Sequence, residues 1–342
     1  MAQLTVSIAL ATYNGGRYIK EQLDSYSKQQ RLPDEVIVSD DGSTDDTIAI
    51  VDAWKQTVPF EVRLVTNLGE HGHTGNFYNA IANCTGDCIL ISDQDDFWLD
   101  THISSLAACF EQDPNLLALA SDSNCVDEQL NELGYRLSAA QRATSVVRNF
   151  GSFPSYVPFN QVLRVHFAFG HGMAIRRGLV ELSSPLSKNW GHDCWLFLIA
   201  ALMGRASYVN MPLTLYRQHA TQTCGGSKHS LLSLSRSALT NRVQPPQEER
   251  SEAAKGSQSP PKLADLLEAA KKYHDASENG DRKVSQANAD LIMKKHAFLV
   301  WRNQVKSRPL PQRVVSTTYQ LLLGRYHLFG RGFIACARDI IG

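Results

Sequence analysis

The 342-residue sequence lacks the patterns that define several large classes of protein. Its formal net charge at pH 7 is zero, which argues against a nucleic-acid-binding protein because such proteins usually carry a basic surface. The seven cysteines include no Cys-x-x-Cys pair, and Cys84 and Cys88 have no matching His or Cys pair downstream. We therefore predict no zinc site, and we expect most cysteines to be small buried residues in a reducing cytosol.

Signals for membranes and for common cofactors are also missing. Residues 1–7 show no basic region followed by an apolar region, so we expect no secretion signal. No uncharged apolar run approaches the roughly 20 residues that a membrane-spanning helix needs. The sequence has no Gly-x-Gly-x-x-Gly after its first predicted strand and no Gly-Lys-Ser/Thr, which excludes nucleotide-binding dehydrogenases and P-loop proteins.

Short apolar runs alternate with helical patterns through the first part of the chain. Strands are predicted at Leu4–Thr12, Glu35–Ser39, Glu61–Thr66 and Cys88–Ser92, with helical segments between them. This alternation implies parallel strands joined by right-handed crossovers, and hence an α/β fold. In such sheets ligands bind at the carboxyl ends of the strands, so the polar residues that follow each strand mark a site.

The whole chain suggests three regions. Residues 1–225 would form the α/β domain, with later extended segments at Leu116–Ala120 and Phe167–Ile175. Residues 226–261, rich in Pro, Ser and Gln, form a linker by composition. Residues 262–342 are predicted to form a helical extension. The remaining elements predicted within the α/β domain are a buried helix at Asp193–Met203 and a strand or hairpin at Tyr208–Tyr216.

Three carboxylates, Asp93, Asp95 and Asp96, crowd the end of the fourth predicted strand. Carboxylates this close repel one another unless a cation lies among them, and an oxygen-only site favours Mg²⁺ or Mn²⁺ over zinc. Such a cation commonly carries the phosphates of a nucleotide. The alternative is a solvated acidic turn that caps the following helix.

Four further residues are candidates for chemistry, and each has a plainer alternative. Asp40 and Asp41 follow the second strand and can accept hydrogen bonds from a pyrimidine or a ribose, or can belong to a capped helix start. Asp193 opens a buried helix and can act as a general base, or can be an ordinary acid favoured by the helix dipole. His219 follows the last predicted strand and is either a metal ligand or a polar rim residue.

Taken in order along the chain, the polar motifs match one family. They are Ala11–Gly15, Val38–Asp45, Asn67–Gly69, Gly75–Phe77, Thr85–Asp87, Ser92–Trp98, His192–Trp195 and Tyr216–His219. This combination resembles the family 2 inverting glycosyltransferases with the GT-A fold, and its Ser-Asp-Gln-Asp-Asp, His-Asp-x-Trp and Tyr-Arg-Gln-His forms resemble the bacterial rhamnosyltransferase-type branch. The resemblance covers residues 5–225 and implies a Rossmann-like, mostly parallel sheet flanked by helices, with a C-terminal helical extension.

The resemblance implies a role for each residue of the site. Asp193 would be the catalytic base, and Asp95 would bind the metal, with His219 as a further candidate ligand. The family's Gly-x-x-Met pattern fits Gly170–Met173 loosely, because His171 is less expected there. The residues implied in nucleotide-sugar binding are Thr12, Tyr13, Asn14, Asp40, Asp41, Asn76 and Asp93. Those implied in the sugar and acceptor pocket are Asp96, His171, Gly172, Met173, His192, Trp195 and Arg217.

The predicted protein is a metal-dependent inverting glycosyltransferase. It would move a sugar from dTDP-rhamnose or a UDP-hexose to a hydroxyl of a lipid-linked oligosaccharide or surface polysaccharide, as in O-antigen synthesis, using Mg²⁺ or Mn²⁺. It would act in the cytoplasm or at the inner face of the cell membrane. One alternative is a catalytically inactive scaffold of a polysaccharide assembly complex. The other is a sugar nucleotidyltransferase, although Thr12–Gly16 lacks the glycine- and basic-rich phosphate loop expected of one.

The C-terminal segment, residues 302–342, carries seven Lys and Arg side chains against a single acid, Asp339. Aromatic and aliphatic residues are interleaved with these charges at roughly helical spacing. This pattern predicts a helix that lies on a membrane surface and contacts it peripherally. The alternative is a terminal helix that packs on the body of the protein with its arginines facing water.

Overall fold

The computed structural model describes residues 3–140, 147, 150–151, 154–163, 168–220, 222, 261–275, 286–305, 308–325, 336 and 339. The chain divides into two compact units, residues 1–217 with 269–288, and residues 218–268 with 289–342. The predicted linker at 226–261 lies outside the described residues except for Pro261, which begins a helix. The predicted three-region division stays a prediction.

A single mixed sheet organises the described part of the first unit. Its strands are β1 Val6–Thr12, β2 Glu35–Asp40, β3 Glu61–Thr66, β4 Cys88–Ser92, β5 Phe97–Trp98, β6 Ala118–Val126, β7 Glu132–Arg136, β8 Ser155–Tyr156, β9 Met173–Arg176 and β10 Ala206–Arg217. The order is β3-β2-β1-β4-β9-β6-β10-β5, with β7 beside β6 and β8 beside β10. Strands β3, β2, β1, β4, β6 and β10 run parallel, and β9 is antiparallel to both of its neighbours. The predicted mostly parallel α/β sheet is therefore confirmed.

Helices cover this sheet. Those in the described part of the first unit are α1 Ile19–Ser27, α2 Thr47–Lys55, α3 His73–Ala82, α4 His102–Gln112, α5 Leu137–Ala140, α6 Phe159–Val162, α7 Gly178–Leu182 and α8 His192–Leu202. The long helices form because apolar residues recur on one side, as Ile19, Leu23 and Tyr26 do on α1, where all three are buried. Helix α8 is instead apolar nearly all round, so most of its residues are buried.

Two segments differ from the expectation. Strand β6 was predicted to end at Ala120 but continues to Val126. The prediction stopped too early because Ser121–Ser123 are polar, although the structure buries them. Their hydrogen-bond partners lie inside the protein, as when Ser138 Oγ donates to Asp122 at 2.7 Å. The segment predicted as extended over Phe167–Ile175 contains a 3-10 turn at Gly170–Gly172 before β9 begins.

The core beneath the sheet also positions the end of β4. Tyr26 on α1 is fully buried, and its ring centroid lies 4.9 Å from that of Trp98. The Tyr26 hydroxyl donates to Ser92 Oγ at 2.6 Å, and Gln22 Nε2 donates to the same oxygen at 3.0 Å. The residue immediately before Asp93 is thus anchored from below by α1.

Further along the chain, the described residues form the helices α9 Pro261–Asp275, α10 Gln286–Val305 and α11 Leu310–Leu322. The C-terminal helical extension is therefore present. In the second unit, Phe298 and Cys336 are buried, and Arg302 pairs with the buried Asp339 at 2.8 Å. None of the helices that the structure describes is long and apolar enough to cross a membrane.

A buried glutamate at the amino end of β2 links several segments of the sheet. Glu35 is 4% exposed and accepts hydrogen bonds from Ser7 Oγ at 2.5 Å, from Thr85 N at 2.6 Å and from Arg63 at 2.8 Å. Burial disfavours the charged carboxylate, but these hydrogen bonds outweigh burial and lower the pKa of Glu35 to about 2.

This glutamate predicts how the free energy of unfolding depends on pH. Its pKa is lower in the folded protein than the ordinary 4.5, so its ionised form contributes stability above pH 4.5 that is lost as the pH falls toward 2. The contribution is on the order of 3 kcal/mol, at about 1.4 kcal/mol per pKa unit. The Glu35→Gln variant should unfold at lower urea than wild type at pH 7, and the gap should narrow below pH 4.5. The more exposed Glu111→Gln is the control, and a gap independent of pH would contradict the prediction.

Candidate functional site

The carboxyl ends of β1, β2 and β4 lie side by side because β1 pairs in parallel with both neighbours. Gln94 holds the turn after β4 against the turn after β1, since its amide accepts a hydrogen bond from Tyr13 N at 2.9 Å and donates one to Tyr13 O at 3.0 Å. A Cβ at Gly15 would lie 2.2 Å from Gln94 Oε1, so any other residue there would displace the Gln94 side chain. The residues predicted at these strand ends therefore lie in one place.

The turn after β4, Asp93–Asp96, is called the acidic turn. Two of its carboxylates face a buried imidazole. His171 Nδ1 lies 3.6 Å from Asp93 Oδ2 and 3.7 Å from Asp96 Oδ2, and the three residues offer ligand atoms that all lie within 4.8 Å of one another. Arg217 N donates to Asp96 Oδ1 at 2.9 Å, whereas Asp96 Oδ2 is buried with no hydrogen-bond partner among the described residues. Two carboxylates, one of which has an unpartnered buried oxygen, and an imidazole fit a divalent cation.

The electrostatic environment shifts the pKa values of Asp93 and Asp96 in opposite directions. Burial raises the pKa of Asp96 well above its usual range, because the side chain is fully enclosed and the carboxylates of Asp95 and Asp93 are near. For Asp93, whose side chain is 27% exposed, burial also opposes ionisation, but the neighbouring His171 outweighs it and lowers the pKa. The surroundings therefore favour the charged form of Asp93 and disfavour that of Asp96.

Arg217, at the end of β10, ties the acidic turn to other segments. Its Nε donates to Asp95 O at 2.8 Å, and its terminal nitrogens donate to Glu128 O and to the Glu21 carboxylate. Its guanidinium also lies 4.8 Å from the centre of the Tyr18 ring, and the residue is 1% exposed. Arg217 therefore supports the turn from inside, and its predicted contact with a sugar stays a prediction.

Buried polar residues form a platform beneath the exposed Tyr13 and Asn14. Thr12 Oγ1 donates to Asp40 Oδ1 at 2.8 Å, and Asn76 Nδ2 donates to Thr12 O at 2.9 Å. Asp40 also accepts hydrogen bonds from the backbone nitrogens of the two residues that follow Asp41. The ends of β1 and β2 and the start of α3 are thereby joined into one polar surface.

Asp41 organises the loop between β3 and α3. Its carboxylate accepts hydrogen bonds from Gly72 N at 2.7 Å and from Asn67 Nδ2 at 2.9 Å, and it lies 2.7 Å from His71 Nδ1. Burial opposes its ionisation, but these donors outweigh burial and lower the pKa of Asp41. The sequence analysis did not single out His71, because a histidine within a polar loop carries no periodic signal.

An aromatic stack joins α3 to α8. The Phe77 and His192 rings are stacked with centroids 3.9 Å apart, and the His73 ring lies 5.2 Å from that of His192. His73 Nε2 is also 4.0 Å from Asp93 Oδ1, so this imidazole borders the acidic turn. The sequence analysis missed His73, although its spacing of four residues from Phe77 places the two on one helical face.

Asp193 is the second residue of α8 and is partly buried. Its Oδ2 accepts a hydrogen bond from Gly170 N at 3.2 Å, and its Oδ1 accepts one from Cys194 N at 2.7 Å. A Cβ at Gly170 would lie 2.9 Å from His192 Nε2, so glycine allows the 3-10 turn to approach α8 this closely. The predicted base and His171 are therefore brought together by one turn.

The remaining residues predicted for the site are Gly172, Met173, Trp195 and His219. Met173 and Trp195 are buried, and Trp195 Nε1 donates to Ser183 O at 2.9 Å. Gly172 is packed against β6, where a Cβ would lie 3.1 Å from Ser121 O. His219 belongs to the second unit. The functions predicted for these residues stay predictions.

A model of the family described as Glycosyl transferase family 2 matches residues 7–182, which is just over half of the chain. The chain belongs to glycosyl transferase family 2. In this family 2 glycosyltransferase the matched region contains both the acidic turn and His171, whereas Asp193 and Arg217 lie beyond it.

Individual relatives agree with this assignment. The dTDP-rhamnosyl transferase RfbG of Shigella flexneri is 26% identical over 233 residues, which cover 64% of this chain and 74% of RfbG. An uncharacterized glycosyltransferase of Nostoc, alr2836, is 22% identical over 226 residues, covering 63% of this chain and 65% of that protein.

A solved structure supports the fold. The crystal structure of S. aureus TarS residues 1–349 in complex with UDP-GlcNAc matches this family 2 chain with a TM-score of 0.54 at 18% identity. The match covers 98% of this chain and 88% of the TarS chain. The GT-A fold predicted from the sequence is thereby confirmed.

Proposed function

We propose that this protein transfers a sugar from a nucleotide-sugar donor to a hydroxyl group of a glycan, with inversion at the anomeric carbon, during synthesis of a surface polysaccharide such as O-antigen. One observation carries this proposal: three features lie near one another at the carboxyl ends of the strands and the adjoining 3-10 turn. They are the acidic turn, the polar platform around Asp40 and the carboxylate of Asp193. This arrangement supports the proposal because it could receive a donor, a cation and the proton of an acceptor hydroxyl.

The platform is the proposed nucleoside site. Tyr13 is 57% exposed above the buried Thr12 and Asp40, so its ring is free to contact a base. Asn14, Asp41 and Asn76 would shape the surrounding turns, and Asp93 would accept a hydrogen bond from the ribose. A pyrimidine nucleotide is proposed because the name of RfbG specifies a dTDP sugar and TarS was solved with UDP-GlcNAc.

A divalent cation, Mg²⁺ or Mn²⁺, is proposed at the acidic turn, with Asp95 as a ligand beside Asp93 and Asp96. Bound there, the cation would neutralise the negative charge of the diphosphate leaving group. The protein's own contribution is to hold the turn in place through Arg217 and Gln94. The metal-ligand role predicted for His219 stays a prediction, and Trp195 and His192 are proposed as residues of the sugar and acceptor pocket.

Asp193 is the proposed general base. Its carboxylate would take the proton of the acceptor hydroxyl while that oxygen forms a bond to the anomeric carbon. The bond from this carbon to the diphosphate oxygen breaks on the opposite face, and its electron pair leaves with the nucleoside diphosphate. The hydrogen bond from Gly170 N supports this role because it fixes the direction of the carboxylate.

Residues 1–225 are proposed as the catalytic domain, residues 226–261 as a linker and residues 262–342 as an extension that contacts the inner face of the membrane. The exposed face of α11 supports the membrane contact. Val315, Tyr319 and Leu322 are 71%, 59% and 81% exposed and follow the spacing of one helical face. Arg308 and Arg325 flank this helix, as expected of a helix attracted to anionic lipid.

The donor site predicts stabilisation by pyrimidine sugar nucleotides. In a thermal-shift panel of UDP, dTDP, GDP and CDP sugars, we expect dTDP or UDP sugars to raise the melting temperature only with Mn²⁺ or Mg²⁺ present. Ligand at about 100 times its Kd should add about 2.7 kcal/mol to the free energy of unfolding. The Asp95→Asn variant should lose the metal-dependent part. No shift with any nucleotide would contradict the proposal, and nucleotide binding without any transfer would favour an inactive scaffold.

The base predicts a selective loss of turnover. Asp193→Asn keeps the size of the side chain but cannot accept the proton, so we expect kcat to fall by about 10²–10⁴ while the Kd for the donor is unchanged. Steady-state kinetics with isothermal titration of the donor would measure both. Asp24→Asn, on the exposed side of α1, is the matched control and should match wild type. Near wild-type turnover of Asp193→Asn would show that the base lies elsewhere.

The exposed face of α11 predicts membrane binding. The double variant Val315→Asp, Leu322→Asp should move the protein from the vesicle fraction to the free fraction in flotation with vesicles that contain anionic phospholipid. Gln312→Asp also adds an acid to α11 but removes no apolar side chain, so it should keep most of the binding. Equal flotation of wild type and the double variant would refute this contact.

A further inference from the structure

His171 lies beneath the acidic turn in a setting that suits a metal ligand. Its Nδ1 is 3.6 Å from Asp93 Oδ2 and 3.7 Å from Asp96 Oδ2. Both separations exceed the range of about 2.7–3.2 Å typical of a hydrogen bond to nitrogen. A cation with bonds of about 2.0–2.2 Å can bridge atoms this far apart, because two such bonds span up to about 4.4 Å.

The second observation is the buried oxygen of Asp96. The residue is 0% exposed, and its Oδ2 has no hydrogen-bond partner in the described part of the chain, although it points toward His171. A buried oxygen of this kind costs free energy unless a positive charge or a donor meets it. A cation bound between Asp96 and His171 would remove that cost.

The other side of the imidazole is already held. His171 Nε2 lies 2.9 Å from Ser123 Oγ, and Thr214 Oγ1 donates to His171 O at 3.2 Å. The ring also stacks on Tyr216, with centroids 4.5 Å apart. With the proton on Nε2 donated to Ser123, the lone pair of Nδ1 faces the two carboxylates. Such a second partner is what fixes the ring of a metal-bound histidine.

We infer that His171 supplies a nitrogen ligand, through Nδ1, to the divalent cation at the acidic turn, alongside Asp93 and Asp96. The inference rests on the proposed function, because it concerns the cation of the same donor site. It has a consequence for the identity of that cation. Mg²⁺ takes oxygen ligands and gives up its water reluctantly, whereas Mn²⁺ is a transition metal and binds nitrogen more readily, so His171 would make the site favour Mn²⁺ over Mg²⁺.

A competing arrangement has His171 itself as the positive charge. Burial disfavours a charged imidazole, but the carboxylates of Asp96 and Asp93 outweigh burial and raise the pKa of His171. In that arrangement the ring would neutralise the turn without any metal, and no nitrogen would coordinate a bound cation. The two arrangements therefore predict different spectra of bound Mn²⁺. Only a coordinated imidazole nitrogen gives a nitrogen signal.

The experiment uses the full chain with Mn²⁺ alone and no nucleotide. Electron-spin-echo spectroscopy of bound Mn²⁺ detects a directly coordinated imidazole nitrogen. We expect this nitrogen signal in wild type and its loss in His171→Gln, together with at least about tenfold weaker Mn²⁺ binding. Mg²⁺ binding, measured by competition, should change less, so the preference for Mn²⁺ falls. His171→Asn leaves an oxygen near the position of Nδ1 and should bind Mn²⁺ without the nitrogen signal.

His73→Gln is the matched control, because it removes the other imidazole that borders Asp93 and should leave the nitrogen signal intact. A melting curve checks that each variant folds. If His171→Gln does not fold, Ser123→Ala tests the same inference: it frees the ring and should weaken Mn²⁺ binding while keeping the signal.

Three results would overturn the inference: a nitrogen signal that survives in His171→Gln, Mn²⁺ bound to wild type without a nitrogen signal, or no Mn²⁺ binding in the absence of nucleotide. Failure of the proposed function would look different. In that case the nitrogen signal would be present and no sugar nucleotide would raise the melting temperature.

Discussion

The structure of the site depends on one constraint: three carboxylates within four residues must be held at the end of β4 despite their mutual repulsion. The later strands supply what this requires. Because β9 runs antiparallel to β4, it begins at the carboxyl end of β4, and the 3-10 turn before it brings His171 to the acids. Strand β10 runs parallel to β4, so it ends on the same side and delivers Arg217 there.

The same arrangement places two groups of residues on either side of the acidic turn. On one side, β1, β2 and α3 form a polar platform in which Asp40 and Asn76 make hydrogen bonds within the protein. On the other side, α8 presents Asp193 next to the turn that carries His171. The acidic turn lies between the two, so a molecule that spans them passes over Asp93. This geometry suits the proposed donor, whose diphosphate would lie between its nucleobase and its sugar.

Much of the fold could be predicted from the sequence, and less of the site. The early strands were predicted to within a few residues because buried parallel strands are apolar runs bounded by turns. Strand β6 was predicted too short, since Ser121–Ser123 are polar residues whose partners come from distant segments. His73 was missed for a related reason: only the packing of α3 against α8 brings it next to Asp93. The burial of Arg217 and its hydrogen bonds to the acidic turn could not be read from the sequence, and its predicted contact with a sugar stays a prediction.

The sequence by itself determined the α/β fold, the clustering of acids at strand ends and the resemblance to family 2 glycosyltransferases, because periodicity and short motifs are local properties of a chain. Only the tertiary structure decided which carboxylate meets which partner. Arg217 and Asp96 are 121 positions apart, and Ser123 and His171 are 48 apart. Hydrogen bonds and charge interactions act over a few ångströms, so their partners are set by which strands become neighbours, and no local pattern contains that order.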